Sequence, residues 1–159
     1  MQEALLSIIK DENRIITGQI DPQYLSDNLG RKKGTAEAVV FPVSTEEISG
    51  FMRYAWKNNL PVTPRGAGTN LVGSTVPSGH GIVLDVSLMN HVLELDEETF
   101  TATVEPGVVL EDFQAYVESK GLFYPPDPGE KKATIGGNIS TNAGGMRAVK
   151  YGVTRDYVM

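Results

Sequence analysis

The sequence predicts an α+β fold made of two subdomains, a small parallel α/β unit at residues 1–88 and a partial second unit with antiparallel strands at residues 89–159. Two observations indicate this order. Up to residue 86, strand and helix patterns alternate as they do in parallel sheets. Beyond residue 90, two β-rich runs flank a polar turn, which is typical of an antiparallel hairpin.

The first unit is predicted to contain two main helices and three strands. The apolar positions within residues 2–10 indicate a short helix. Residues 11–35 are polar and turn-rich, and they predict irregular chain with at most one short helix near residues 22–28. Short apolar runs predict the strands, at residues 38–41, 60–64 and 82–86.

The helix between the first two strands has the clearest start. Ser44 and Glu47 form a capping-box pattern, in which the serine accepts from a free N–H and the glutamate reaches back to the serine. Apolar residues then recur at helical spacing on one face. We expect that face to pack into the core through Ile48, Phe51, Met52, Ala55 and Trp56.

The second unit is predicted to open with hairpin strands at residues 91–95 and 99–104. A helix over about residues 109–120 follows and ends at Gly121. Its buried residues are expected to be Leu110, Phe113 and Val117. Residues 151–159 resemble an apolar strand that stops abruptly, which predicts a truncated chain.

The composition excludes several functional classes. The chain has 159 residues, a formal net charge of −6 and no cysteine. The negative charge argues against a general nucleic-acid or anionic-membrane surface, and the lack of cysteine excludes disulfides, thiolate metal sites and thiol nucleophiles. No apolar run reaches the ~18 residues that span a bilayer, and residues 1–6 lack a secretory signal pattern. We therefore expect a cytoplasmic protein.

The most informative segment runs from Pro61 to Gly73. A short apolar run leads to Arg65, after which small residues alternate with hydrogen-bonding ones. Glycines let several backbone N–H groups turn toward one point, and such donors beside an arginine suit a phosphate or pyrophosphate. The Rossmann fingerprint does not fit, because Leu71 stands where its third glycine would fall. A glycine-rich connector without a ligand is the alternative for this loop taken alone.

A second glycine-rich segment runs from Thr134 to Gly145, behind a stiff proline-rich approach at residues 125–129. Ile135 and Ile139 are expected to pack beneath a ligand, and Asp127 is expected to cap a helix start or a turn. Side-chain donors suited to a ligand's carbonyls and hydroxyls are Asn138, Thr141 and Asn142. We expect both glycine-rich segments to bind one dinucleotide.

Other charged residues give weaker signals. His80 and His91 have no partner at metal-ligand spacing, so no metal site is predicted. The acidic pair at residues 97–98 is expected in a solvated turn. The lysine pair at residues 131–132 is expected on the surface, with an approach to a phosphate or a substrate carboxylate as the alternative.

Together these segments resemble the flavin-binding sequences of the vanillyl-alcohol-oxidase-type (PCMH-type) FAD oxidoreductases. The most similar branch holds the D-subunit of glycolate oxidase and the FAD-dependent D-lactate and D-2-hydroxyglutarate dehydrogenases. The resemblance covers about residues 38–159 and implies the PCMH-type FAD-binding fold. The segments that carry it are residues 64–71, 104–108, 126–129, 134–145 and 151–152.

The resemblance implies a set of cofactor-binding residues. In the first loop they would wrap the FAD pyrophosphate, chiefly through backbone N–H groups, and they are Arg65, Gly66, Ala67, Gly68, Thr69, Asn70, Leu71, Gly73 and Ser74. In the second segment they would line the ribityl and isoalloxazine side, and they are Pro126, Asp127, Ala133, Thr134, Gly136, Gly137, Asn138, Thr141, Asn142, Gly144 and Gly145, with Tyr151 and Gly152 behind them. Thr69 stands where some members carry a flavin-linking histidine, so non-covalent FAD is implied.

The resemblance also implies a dehydrogenase or oxidase that transfers hydride from a small 2-hydroxy acid to FAD. In the family, the base, the substrate-binding arginine and any metal ligands belong to the cap and the C-terminal region. No catalytic residue is therefore named here, and the chain alone is expected to be inactive. A homodimer or partner subunits of an oxidase complex are the implied assemblies.

Two alternatives stay open. One is a flavin-free half-domain with no activity of its own, and the other is an enolpyruvyl reductase of the same flavin fold. The proline-aspartate-proline-glycine sequence at residues 126–129 favours the hydroxy-acid branch.

Overall fold

A four-stranded sheet forms the centre of the first unit in the computed structural model, which describes all residues from 1 to 159. Its strands are β1 (Ile15–Thr17), β2 (Ala36–Val40), β3 (Val62–Arg65) and β4 (Gly81–Asp85). The strand order is β1-β2-β4-β3. β4 pairs in parallel with both β2 and β3, as predicted, whereas β1 is an antiparallel edge strand that the sequence did not predict.

Successive side chains of β2 and β4 point to opposite faces of the sheet, so the first unit has a core on each face. On one face, Val40 and Ile82 pack against the helices α1 (Gln2–Ile9) and α2 (Thr45–Lys57). On the other face, Val39 and Val83 pack against the segment around residues 16–25. All five residues of β4 are buried, which is typical of a central strand covered on both sides.

Only part of the predicted apolar face of α2 is buried. Phe51 and Ala55 lie in the core and Ile48 packs against it, but Met52 is 44% exposed and Trp56 is 87% exposed. The prediction that Met52 and Trp56 belong to the core is wrong. The residues that do pack sit three and four positions apart, so the buried stripe is narrower than the apolar pattern of the sequence.

The start of α2 differs from a standard capping box. The Ser44 hydroxyl accepts from the Glu47 N–H at 3.3 Å, as predicted. The Glu47 carboxylate reaches one residue further than expected and accepts from the Val43 N–H at 2.9 Å. It also pairs with both guanidinium nitrogens of Arg14, at 2.6 and 2.9 Å. Arg14 in turn donates to the carbonyl oxygens of Ile9 and Phe41, so one side chain joins the end of α1 to the start of α2.

The second unit is built on the hairpin of β5 (Val92–Asp96) and β6 (Thr101–Val104), which pair antiparallel as predicted. Its main helix, α3 (Leu110–Glu118), buries the three predicted residues against the hairpin side chains. The chain divides between Leu88 and Met89 into two compact units. The structure contains no helix with the length and hydropathy of a membrane span.

The end of the chain differs from the sequence analysis in two ways. Within the second glycine-rich segment, residues Ile135–Thr141 form the helix α4, which the sequence did not predict. The expected C-terminal strand is absent: a short helix α5 (Ala148–Tyr151) and a 3-10 turn at Thr154–Tyr157 occupy those residues instead. Thr154 explains the turn, since it is fully buried and its hydroxyl donates to the Ala143 carbonyl at 2.6 Å.

Candidate functional site

The first glycine loop, residues 66–74, follows the carboxyl end of β3. Arg65 is the last residue of β3 and lies in register with Asp85, the last residue of the parallel strand β4. Ligands of parallel α/β sheets bind beyond the carboxyl ends of the strands. The fold therefore places this loop at the edge of the sheet where a ligand is expected.

A row of unused backbone donors characterises the first part of this loop. None of the six N–H groups from Gly66 to Leu71 donates to an acceptor within the chain. Gly68 is buried and has a φ of 70°, a conformation that residues with a side chain rarely adopt. Such a run of free N–H groups is the donor set that an anionic phosphate oxygen satisfies.

Side-chain contacts fix the end of the loop. The Gly73 N–H donates to the Asp27 carboxylate at 2.9 Å, and the Ser74 N–H donates to the Asn70 side-chain oxygen at 3.1 Å. The Asn70 amide nitrogen donates to the Thr75 hydroxyl at 2.8 Å. The backbone donors of Val72, Gly73 and Ser74 are thus engaged, unlike those of residues 66–71.

The Arg65 side chain turns into the first unit beneath the loop. It is 9% exposed, and it donates to the Ser26 carbonyl at 3.0 Å. Its guanidinium also lies 3.9 Å from the Asp85 carboxylate and 5.7 Å from the centre of the Tyr24 ring. A Cβ atom at Gly68 would overlap the Arg65 guanidinium, so this side chain supports the loop from below.

Burial is the main cause of the shifted pKa values of Arg65 and Asp85. Loss of solvent lowers the pKa of the Arg65 guanidinium, and the Asp85 carboxylate opposes that shift. Loss of solvent likewise raises the pKa of the Asp85 carboxyl, against the hydrogen bonds from Ser87 and the charge of Arg65. Each group therefore limits the cost of burying the other.

The second glycine segment, residues 134–145, uses the N–H groups at its start internally. The Gly136 N–H donates to the Pro106 carbonyl at 2.9 Å, and the Gly137 N–H donates to the Thr134 hydroxyl at 3.2 Å. A Cβ atom at Gly136 would lie 2.8 Å from the Pro106 oxygen. Gly136 therefore allows α4 to pack closely on the turn at residues 105–107, a role that the sequence did not reveal.

The polar side chains of this segment have distinct environments. The Asn138 residue is buried, with 3% of its surface exposed. The Thr141 hydroxyl donates to the Gly137 carbonyl at 3.1 Å, one helical turn earlier. The Asn142 side-chain oxygen accepts from the Arg155 N–H at 3.0 Å. Of the two isoleucines expected beneath a ligand, Ile135 belongs to the core of the second unit and Ile139 is 44% exposed.

Asp127 forms ion pairs rather than the predicted cap. Its carboxylate is 8% exposed and contacts both the Lys131 ammonium and the Arg147 guanidinium, the latter at 3.3 Å. Lys132 pairs with Glu111. Both lysines of the predicted surface pair are thus matched by carboxylates within the second unit.

The remaining predicted residues lie in the same unit. Pro126 is buried and its carbonyl accepts from the Gln114 side chain at 2.9 Å, while Ala133 is 7% exposed. The Tyr151 carbonyl accepts from the Tyr157 hydroxyl at 2.6 Å, and Gly152 has a φ of 84°. Gly145 has a φ of 119°, and a Cβ atom there would overlap the Asp127 carbonyl. Gly144 lies against Val153.

The two histidines each face one carboxylate. The His80 ring lies 3.1 Å from Glu37 and is 93% exposed, and the His91 ring lies 2.8 Å from Glu105. The Glu105 carboxylate also accepts from the His91 N–H at 2.9 Å, which holds the pKa of Glu105 below its usual range. The first contact joins β2 to the residue before β4, and the second joins the residues that flank the β5–β6 hairpin.

Comparison with known proteins identifies the class of this domain. A family model described as FAD binding domain matches residues 36–159. The chain is 46% identical to glycolate oxidase subunit GlcD of Bacillus subtilis, over all of this chain and 34% of that protein. It is also 46% identical to D-lactate dehydrogenase of Anaerostipes hadrus, over 91% of this chain and 31% of that protein. The chain thus spans about a third of the length of these curated relatives.

The solved structure of alkyldihydroxyacetonephosphate synthase has the same fold. It matches 98% of this chain and 31% of its own, with a TM-score of 0.85 and 24% identity. The geometry of the first glycine loop fits the family's cofactor, because a row of free N–H groups that begins with three residues of small or no side chain suits the pyrophosphate of FAD. The family and the cofactor that the sequence indicated are confirmed: the chain belongs to the FAD binding domain family.

Proposed function

We propose that the protein carrying this chain is an FAD-dependent dehydrogenase or oxidase of a small 2-hydroxy acid, of the glycolate or D-lactate type. The substrate class is supported by the 46% identity to a glycolate oxidase subunit and a D-lactate dehydrogenase. The observation that carries the proposal is the row of six unpartnered N–H groups at residues 66–71, in a domain whose family binds FAD.

In this proposal the residues 66–71 donate to the pyrophosphate of FAD. Arg65 acts chiefly from below the loop, since its side chain is engaged with Ser26 and Asp85. The second glycine segment is proposed to serve the ribityl and isoalloxazine side. Thr69 occupies the first-loop position at which some members of the family carry a flavin-linking histidine, and the chain has no cysteine. In this proposal the flavin is therefore held without a covalent bond.

Bound FAD would accept the hydride that leaves the α-carbon of the substrate. The chain's own contribution is to bind and orient the cofactor through fixed backbone donors, which need no reorganisation when the ligand arrives. No residue of this chain is assigned as the base that takes the hydroxyl proton.

Flavin content is the first test. The intact protein should be purified, and its yellow colour and the fluorescence of flavin released on denaturation should be measured. Non-covalent FAD at about one per chain supports the proposal, and absence of flavin together with failure to bind added FAD contradicts it. Flavin that stays with the denatured protein would contradict the non-covalent assignment.

Anaerobic reduction is the second test. Glycolate, D-lactate and D-2-hydroxyglutarate should be added separately to the oxidised protein, and the flavin absorbance should be followed. Bleaching by one of these acids supports the assignment. Bleaching by NADPH and by none of the acids would favour the enolpyruvyl reductase, and no bleaching by either would favour a flavin domain without this activity.

Location and assembly belong to the same proposal. A cytoplasmic protein, as a homodimer or with partner subunits of an oxidase complex, is expected. Fractionation of the native cells tests the location. Light scattering of the purified protein measures its mass and so detects a homodimer. A pull-down from the host cells detects an assembly with other subunits.

A further inference from the structure

We propose that Asp27 is a positioning residue that holds the first glycine loop in its cofactor-binding shape. The inference rests on the proposed role of that loop in binding the pyrophosphate. Asp27 lies in the turn that follows the 3-10 helix at Pro22–Leu25, outside every glycine-rich segment of the sequence. Its effect would pass through the loop, because its carboxylate contacts none of the six free N–H groups.

The two oxygens of Asp27 face different parts of the first unit. Oδ2 accepts from the Gly73 N–H at 2.9 Å. Oδ1 accepts from the N–H groups of Leu29 and Gly30, at 3.1 and 3.0 Å. A single carboxylate thus joins the end of the glycine loop to the turn at residues 27–30.

A backbone contact supports the same connection. The Asn28 N–H donates to the Asn70 carbonyl at 3.1 Å. The row of free donors therefore runs between two fixed points, the end of β3 at Arg65 and the contact at Gly73. Fixing both ends of a loop limits the conformations that its N–H groups can adopt, which lowers the entropy lost when a ligand orders them.

Position 27 requires a carboxylate, because the three groups that contact the Asp27 side chain are all backbone N–H donors. An asparagine has one acceptor oxygen, and its NH₂ group would face either the Gly73 N–H or the N–H groups of the turn. Two of the three donors lie in the turn, so the single amide oxygen is expected to face Leu29 and Gly30, and Asp27→Asn should therefore release the end of the glycine loop. Removal of a negative charge near an anion would by itself strengthen binding, so weaker binding would identify the positioning effect.

The test compares Asp27→Asn with Asp21→Asn in the intact protein. Asp21 is a matched control, since its carboxylate accepts from the Gln23 N–H at 2.9 Å in the preceding turn and does not contact the loop. The flavin is removed, and the Kd values for FAD, ADP and riboflavin are measured by fluorescence titration and competition. Circular dichroism gives the melting temperature of each apoprotein.

We expect Asp27→Asn to raise the Kd for FAD and for ADP about tenfold, and to leave riboflavin binding and the Asp21→Asn values unchanged. An unchanged or lower Kd for FAD in Asp27→Asn would overturn the inference. Equal weakening of riboflavin and ADP would also overturn it, since it would indicate a general loss of structure. If the wild-type apoprotein binds no FAD, the proposed function itself fails.

Asp27→Glu decides the question if Asp27→Asn does not fold. It keeps the charge and both acceptor oxygens but moves them by one methylene group. We expect about a threefold rise in the Kd for FAD, with the ADP value following it. Wild-type affinity for both ligands in a folded Asp27→Glu protein would overturn the inference.

Discussion

Gly68 shows how one residue joins the fold to the candidate site. Its left-handed backbone turns the chain directly above the Arg65 guanidinium, and the space that a Cβ atom would need is filled by that side chain. A larger residue must move either the loop or the buried arginine. Both movements would disturb the row of N–H groups that we propose for the pyrophosphate.

We predict that Gly68→Ala weakens FAD binding by about tenfold or more, whereas Gly18→Ala leaves it unchanged. Gly18 has a φ of 80° with open space around it, so both variants carry the left-handed backbone cost of about 1–2 kcal/mol. Only Gly68→Ala adds a collision with Arg65. Fluorescence titration of the intact apoproteins with FAD measures the difference, and equal affinities would refute this role of Gly68.

At the scale of elements, the Arg14–Glu47 pair fixes the start of α2 against the end of α1. Hydrogen bonds from Arg14 are the main cause that lowers the pKa of the Glu47 carboxyl in the folded protein. A lowered folded-state pKa means that the pair stabilises the protein above the unfolded pKa of about 4.3. That stability is lost as the pH falls through the folded-state value.

We predict that Glu47→Gln lowers the unfolding free energy at pH 7 by about 1–3 kcal/mol. The difference from wild type should shrink as the pH falls below about 4.3, because the Glu47 carboxyl then takes up a proton in the unfolded state, and in the folded state only at still lower pH. Denaturant unfolding from pH 7 to pH 3 measures it. Glu46→Gln, at the exposed neighbouring position, is the control, and a pH-independent difference for Glu47→Gln would contradict the prediction.

The close packing of α4 on the turn at residues 105–107 gives a second prediction at this scale. Gly136→Ala should destabilise the apoprotein by about 1–3 kcal/mol, because the new Cβ atom would lie 2.8 Å from the Pro106 oxygen. Gly137→Ala is the matched control, since its Cβ atom would meet only the Thr134 hydroxyl at 3.1 Å and alanine favours a helix. Thermal unfolding by circular dichroism compares them, and similar losses would contradict this packing role.

Elements with a strong local pattern were predictable from the sequence. The α2 helix has a cap and a repeating apolar face, and β4 is an apolar run that pairs in parallel on both sides. The edge strand β1 has only three residues, and its pairing with β2 depends on contacts distant in sequence. The helix α4 was missed because its two adjacent glycines disfavour helix, while the Thr134 cap and the Pro106 carbonyl stabilise it in the fold.

The candidate site follows the same division. The glycine content indicated a loop with free backbone donors, and residues 66–71 have them, while their contact with the pyrophosphate stays a prediction. The inward turn of Arg65 could not be predicted, because it depends on Ser26 and Asp85 from other parts of the chain. Asp27 was missed for the same reason, although the sequence Asp27-Asn28-Leu29-Gly30 is a turn signal that aspartate side chains stabilise.

At the scale of the whole molecule, cofactor binding should be linked to stability. A ligand that binds only the folded state stabilises it by about 2.7 kcal/mol when present at 100 times its Kd. We therefore predict that removing flavin from the intact protein lowers its melting temperature, and that added FAD restores it in a concentration-dependent way. A melting temperature that does not respond to FAD would contradict non-covalent binding to the folded state.

The exposed position of Trp56 on α2 has a consequence for the intrinsic fluorescence of this chain. It is the only tryptophan of the chain, and 87% of its surface is accessible to water. Its indole is already hydrated in the native state, so its emission should resemble that of a solvated peptide and change little on denaturation. Collisional quenchers such as acrylamide should reach it freely before unfolding. The natural fluorophore of this chain would thus report on whatever approaches α2 rather than on loss of the core.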